Sequence, residues 1–228
     1  MRIIAIGDIH GCSMAWDTLL FMIKPQTDDL IITLGDYVDR GPDSNGVLER
    51  LITLHKTGQL VALRGNHEIM MLEARNSPQQ FDAWFKWGGD QTLASYPKTE
   101  KKFYLQTIPA HHWEFMENLC VNYWETENHF FVHGNVDPQL PLNQQPTEQL
   151  FGAKFHHAKP HISGKTMVCG HTRQTIGKPV NLGYAICIDT WVYGQGWLTG
   201  LDINSGRIWQ ANQIGHFRTA EIDEFKPL

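Results

Sequence analysis

Three short stretches carry most of the groups in this chain able to do chemistry: GDIHG at residues 7–11, GDYVDRG at 35–41 and RGNHE at 64–68. Each follows an apolar run (IIAI, LIITL, LVAL), and the interval between them is about 30 residues, the length of a strand–helix unit. They supply Asp8, His10, Asp36, Asp39, Arg40, Arg64, Asn66 and His67; FFVHG and VCGHT later add His133 and His171. Any one of these could be a helix cap or a turn charge. The recurrence of the pattern argues against that for the set. In open α/β sheets the carboxyl ends of parallel strands converge on one edge, so side chains far apart in sequence can meet there. Two carboxylates, an amide and several imidazoles suit borderline divalent metals such as Mn, Fe or Zn better than Ca or Mg. The donors are too many for one ion and enough for two that share a carboxylate.

The elements that must position these groups are legible around them. MRIIAIGD, DLIITLGD and LVALRGN have the apolar character of buried strands. A helix after residue 12 carries Ala15, Trp16, Leu19, Leu20 and Ile23 on one face. Another starts at Pro42-Asp43-Ser44 and turns Val47, Leu48, Leu51, Ile52 and Leu54 inward. HEIMMLEA opens a third. Three strand–loop–helix units imply parallel strands joined by crossovers. Residues 76–118, rich in aromatics, are expected to form a mostly helical insertion. Strands dominate from residue 120, ending in a hairpin that turns at Asn204-Ser205-Gly206. The polar stretch NQQPTEQLFGAKFHHAKPH is expected to be loop, with His156, His157 and His161 exposed. The whole of 1–228 is expected to be a single domain.

Composition narrows the function classes. The 228 residues are 42% hydrophobic and 19% charged, with a net charge of −5. With no basic block, nucleic-acid binding is not expected. No run approaches the roughly 20 apolar residues of a membrane helix, and IIAI is too short for a secretory h-region, so the expected location is cytoplasmic without membrane association. Cys12, Cys120, Cys169 and Cys187 are widely spaced, without a CxxC, and are expected to be reduced core thiols. None has the His and Arg spacing of a covalent cysteine phosphatase. SGKT lacks the earlier glycine of a phosphate-binding loop, and HEIMM lacks the second histidine of a zinc protease.

GDIHG, GDYVDRG, GNHE, HG and GHT, in this order, resemble the phosphoprotein phosphatases of the calcineurin-like metallophosphoesterase superfamily, and within it the small bacterial and phage-type members. The motifs run from residue 7 to residue 172, and the later IDT…LTGLD also fits, so nearly the whole chain is covered. The resemblance implies an α/β fold, a central β-sandwich flanked by helices, and a two-metal site, with Mn as the expected ion and Fe or Zn as alternatives. Asp8, His10 and Asp36 would hold the first metal, and Asp36 would bridge to a second completed by Asn66, His133 and His171. Arg40 and Arg64 would grip phosphate oxygens, and His67, oriented by Asp39, would be the general acid. Two divalent ions and two arginines outweigh the two carboxylates, so an acidic protein would have a pocket that attracts a phosphate dianion. Metals about 3.5–4 Å apart can lower the pKa of a bridging water and aim it at phosphorus.

The activity implied is dephosphorylation of phosphoserine and phosphothreonine proteins, with phosphotyrosine as a further substrate, by a monomer. The alternative is hydrolysis of dinucleoside polyphosphates such as diadenosine tetraphosphate. Enzymes of that kind share GDIHGC and RGPDS but typically have Asp where this chain has Glu68. Arg40 and Arg64 suit a terminal phosphate better than a diester. A non-catalytic phosphopeptide-binding relative would be expected to have lost ligands, and here all are present. One departure stands out. The family pattern has another arginine after the HG motif, whereas residues 135–165 contain none. Lys154, in LFGAKF, occupies the corresponding place; it is either a substitute substrate-binding cation, though a poorer fork for phosphate than Arg, or an ordinary solvated lysine.

Overall fold

A computed structural model describes residues 1–226. Its first half is built from the three expected units: β1 (Ile3–Ile6) and α1 (Ser13–Ile23), β2 (Leu30–Thr33) and α2 (Ser44–His55), β3 (Leu60–Ala62) and α3 (Asn66–Glu73). The strands are parallel, with Ile4 beside Ile31 and Ile32 beside Val61. Asp43 caps α2, its carboxylate accepting from Gly46 N at 2.9 Å. Short helices follow: α4 (Pro78–Trp84), a π-helical turn at Phe85–Gly89, α5 (Asp90–Ala94), α6 (Ala110–Glu114) and a second π-helical turn at Phe115–Leu119.

The second half returns to strands: β4 (Tyr123–Glu125), β5 (His129–Val132), then α7 (Thr147–Gly152), β6 (Thr166–Cys169), β7 (Val180–Asn181), β8 (Ala185–Cys187), β9 (Asp189–Thr190), β10 (Trp197–Asp202), β11 (Arg207–Ala211) and β12 (Phe217–Glu221). One sheet runs β12-β11-β10-β1-β2-β3, with β9 also on β10; the other runs β4-β5-β6-β8-β7. In the second sheet β5, β6 and β8 are mutually parallel.

Strand alternation divides the core into three layers. Ile3, Ala5, Ile32, Phe131, Val168, Ile186 and Leu201 point between the sheets and form one cluster. Ile4, Ile6 and Ile31 point outward under α1 and α2. On the far side, Phe130, Val132, Met167 and Cys169 pack with Leu150 and Phe151 of α7. Strands buried on both faces read as continuous apolar runs, which is why period-2 alternation is absent from the sequence. The result is a β-sandwich flanked by helices.

Three local features differ from expectation. The polar stretch after residue 143 contains α7, because Leu150 and Phe151 supply enough apolar surface to dock it. His161 is 7% exposed rather than free, its ring nitrogens hydrogen-bonded to Ser163 Oγ and Leu140 O. β12 has little apolar signal and exists by pairing with β11. All four cysteines are buried free thiols.

Candidate metal and phosphate site

The parallel strands of both sheets end at one place. Asp8 and His10 follow β1, Asp36 follows β2, Asn66 and His67 follow β3, His133 follows β5 and His171 follows β6. Among the described residues, five of the seven non-glycine residues with positive φ are His10, Asp36, Asp39, Arg40 and His171. Such backbone strain persists only where surrounding structure enforces it, and it clusters at functional sites. The crowding also explains a glycine: a Cβ on Gly65 would lie 2.2 Å from Asp36 Oδ1.

Donor atoms of His10, Asp36 and His67 lie within 4.8 Å of one another, as do those of Asp36, His133 and His171. Asp36 belongs to both groups. His10 Nε2 is 3.5 Å from Asp36 Oδ2, and His133 Nε2 is 3.4 Å from Asp36 Oδ1. Asn66 Oδ1 is 3.0 Å from His133 Nε2 and 2.8 Å from His171 Nδ1. Asp8 lies alongside, its carboxylate accepting from His171 N at 3.0–3.1 Å. The expected ligands therefore converge.

Orientation makes them fit a metal. His10 Nδ1–H donates to Val38 O at 2.9 Å, and His133 Nδ1–H donates to Leu34 O at 2.7 Å. Each bond fixes the tautomer that leaves an Nε2 lone pair facing carboxylate and amide oxygens. A cation suits such facing acceptors, and Arg40 Nη1 already stands 3.1 Å from His10 Nε2. Burial lowers the basicity of His10, His133 and His171, the last to about 3, so these imidazoles are neutral and able to ligate. Burial, together with the charges of Asp189 and Asp36, pushes Asp8 well above the usual carboxylate range. Among the described residues, no Lys or Arg forms an ion pair with Asp8, Asp36 or Asp189. Divalent cations would relieve that cost.

His67 is placed differently. Its Nδ1 is 2.6 Å from Asp39 Oδ2, while its Nε2 is 4.0 Å from Asp36 Oδ2. Burial alone would lower its pKa, but the Asp36 charge and the Asp39 bond outweigh burial and raise it. Asp39 is held in turn by Trp84 Nε1–H at 3.0 and 3.1 Å and by the Thr92 hydroxyl at 2.7 Å. The WGGDQTL stretch thus forms part of the wall of the site. Gly88, at φ 114, brings its backbone against Arg40 and accepts from Arg40 N at 3.3 Å.

A pocket of about 410 Å³ opens over Asp36, Arg40, Asn66, His67, Lys154 and His171, with Met70 and the exposed Trp87 on its rim. Arg40 Nη1 is 3.1 Å from both His10 Nε2 and Tyr193 Oη. Lys154 Nζ reaches 2.9 Å from His171 Nε2, so this lysine is at the pocket although its residue is exposed. Arg64 is not brought there. Its guanidinium donates to Met116 O, Glu117 O, Cys120 O and Asn122 Oδ1 and borders a separate depression. The expectation that it joins Arg40 at phosphate does not fit this placement: those carbonyls occupy its donors, and it turns toward the π-helical turn at 115–119.

Residues 1–194 match the family described as calcineurin-like phosphoesterase. The chain belongs to that family. Among similar proteins, serine/threonine-protein phosphatase 1 of Salmonella typhimurium is 44% identical over 86 residues, 37% of this chain and 38% of that one. A symmetrical bis(5'-nucleosyl)-tetraphosphatase of Acidovorax sp. is 45% identical over 76 residues, 32% of this chain and 26% of that one. The matches thus span well under half of those relatives. A crystal structure provisionally described as a diadenosine tetraphosphatase aligns over 96% of this chain and 93% of its own, with TM-score 0.66 and 20% identity, a likeness of fold. Membership places the chain in a family of metal-dependent phosphoesterases, and its Asp and His cluster is the candidate metal centre.

Several residues of this calcineurin-like phosphoesterase site escaped the sequence reading. Glu68 Oε1 and Oε2 accept from Asp36 N, Tyr37 N and Gly65 N at 2.7–2.8 Å, so it braces the loop that carries Asp36. Its position three residues after Gly65, where a helix glutamate reaches back to the cap amide, was an available signal. Asp189, 3% exposed, follows β8 and obeys the same strand-end rule as Asp36. Burial and the Asp36 charge raise its pKa to about 6, against an opposing backbone bond from Trp191. Trp84 and Thr92 had no such signal. Tyr193 Oη also accepts from Arg173 at 3.0 Å, which links a second arginine to Arg40.

Proposed function

We propose that the chain is a two-metal phosphomonoesterase that removes phosphate from phosphoserine and phosphothreonine in proteins, with phosphotyrosine as a further substrate. The observation that carries this reading is the buried His67–Asp39 pair: His67 Nδ1 is tied to Asp39 at 2.6 Å, and its Nε2 stands 4.0 Å from Asp36, farther than the 3.5 and 3.4 Å of His10 and His133. It supplies a separate proton donor for a poor leaving group.

Asp8, His10 and Asp36 would hold one ion, and Asp36, Asn66, His133 and His171 the other. The ions, when bound, supply Lewis-acid activation of water and neutralise phosphate charge; Mn is the favoured identity. Arg40 binds phosphate oxygens, steadied by the Tyr193 ring 4.8 Å from its guanidinium carbon. Lys154 adds a second positive charge at the pocket, beside His171. His67 Nε2–H faces the pocket and gives its proton to the departing oxygen, while Asp39 keeps the Nδ1 proton in place. Trp84 and Thr92 hold Asp39 so that it cannot turn away.

A second reading, hydrolysis of dinucleoside polyphosphates, is supported by the tetraphosphatase relatives and by Trp87, which is 61% exposed at the pocket rim and able to stack on a base. A turnover panel in Mn²⁺ with a phosphoserine peptide, a phosphotyrosine peptide and diadenosine tetraphosphate separates the two. The proposal expects the highest kcat/KM on the phosphoserine peptide. Dominant turnover of diadenosine tetraphosphate would replace it with the second reading.

A further inference from the structure

Away from the strand ends, a second group of metal-ligand side chains meets between α2 and α6. His111 Nε2 is 2.7 Å and His112 Nε2 is 3.0 Å from the same oxygen of Glu49. The three donor atoms lie within 4.8 Å of one another. None of these residues touches the catalytic cluster. We propose that Glu49, His111 and His112 form a separate binding site for one zinc-class divalent ion, which clips α6 to α2.

The donor set is two imidazoles and a carboxylate, the three-ligand pattern that zinc completes with water at an open position. The site combines a fixed ligand with two that can adjust. His112 is fully buried, whereas the side chains of His111 and Glu49 are 52% and 51% exposed. The two imidazoles stand edge to face, with centroids 4.5 Å apart, so they approach Glu49 from different directions rather than stacking in one plane. The buried ligand also has an outer partner: His112 Nδ1 is 2.7 Å from the hydroxyl of Tyr96, which is itself 4% exposed. When the Nδ1 proton is donated to Tyr96 Oη, the Nε2 lone pair faces the Glu49 carboxylate. Outer-shell bonds of this kind set the tautomer of a ligating histidine. Without a metal, both Nε2–H groups donate to one carboxylate oxygen; to ligate, each imidazole must carry its proton on Nδ1, His112 toward Tyr96 and the half-exposed His111 by exchange with water, and the cation would sit between the two Nε2 atoms and the Glu49 carboxylate.

The site has a structural consequence. α2 also packs against α5, which carries Thr92, and Thr92 donates to Asp39. A metal clip on α6 would therefore steady the helical segment that holds the Asp39 wall.

The test counts zinc in the full chain at matched free zinc by equilibrium dialysis and elemental analysis. Wild type is compared with Glu49→Gln and His111→Ala, both at half-exposed positions that the fold tolerates; circular dichroism checks this. The site predicts one zinc fewer per chain in each variant, with the ions of the strand-end cluster retained. Tyr96→Phe should keep the stoichiometry but weaken the extra site about 10–100-fold. In cobalt-loaded protein, the wild type should show an added tetrahedral absorption band that both ligand variants lack. Equal zinc content and equal cobalt spectra in wild type and both ligand variants would overturn the proposal.

Discussion

His67 Nδ1 lies 2.6 Å from Asp39 Oδ2, and neither side chain is more than 1% exposed. This pairing leaves His67 Nε2 as the only ring nitrogen able to give a proton to substrate. A serine alkoxide needs that proton to depart, while p-nitrophenolate is stable without it. His67→Asn should therefore lower kcat on a phosphoserine peptide by about 10²–10⁴-fold and on p-nitrophenyl phosphate distinctly less, with metal content near wild type. Equal losses on both substrates would assign His67 to charge stabilisation, and loss of metal would make it a ligand.

Glu68 serves the same loop from behind. Burial and the Asp36 charge push its pKa up to about 7, against the opposing pull of backbone N–H donors from Tyr37 and Gly65. In Glu68→Gln, an amide NH₂ replaces one acceptor and faces buried N–H groups. Each unsatisfied donor costs about 1–3 kcal/mol. Thermal unfolding should move to lower temperature, and kcat should fall with the loss of Asp36 placement. Unchanged stability and turnover would mean that the loop keeps its shape without this brace.

Lys154 offers a test on the substrate side. Burial lowers the Lys154 pKa, against the charges of Asp36, Asp8 and Asp189, which favour the ammonium form. Partly exposed ion pairs contribute about 0.2–1 kcal/mol. Lys154→Ala should raise KM for phosphopeptides by up to about fivefold, leaving metal content intact. Unaltered steady-state kinetics would return Lys154 to the role of a solvated side chain.

For Arg64, the expected effect is on stability. Its bonds to Met116 O, Glu117 O and Cys120 O tie the third strand–helix loop to the π-helical turn. Hydrogen bonds of charged donors are worth about 1.5–3 kcal/mol, less where water competes. Arg64→Ala should lower the unfolding midpoint while KM stays near wild type. A raised KM with normal stability would bring Arg64 back to the phosphate.

Most of the centre was legible because strand-end position is a local property. An apolar run that ends in a polar side chain marks a sheet edge, and five such strand ends, after β1, β2, β3, β5 and β6, meet here. The donors of Asp36, His133 and His171 are therefore expected together from their strand-end positions alone. Arg64 was misplaced by the same logic, since its strand-end position fixes its Cα but not the direction of a long side chain that finds carbonyls on a distant turn. Trp84 and Thr92 were invisible as partners of Asp39, because contacts across 45 and 53 residues leave no periodic trace. The short helix α7 and the edge strand β12 were missed because docking, and not propensity, makes them.

The central claim is that one carboxylate, Asp36, serves two metal ions. Elemental analysis of purified Mn-loaded wild type and Asp36→Asn, alongside turnover of p-nitrophenyl phosphate, tests it most directly. The substitution keeps the shape, and the oxygen that accepts from His67 N at 3.0 Å, but removes the charge. The account predicts two Mn per wild-type chain, and loss of both metal and turnover in the variant. Two ions retained in Asp36→Asn with wild-type turnover would contradict it.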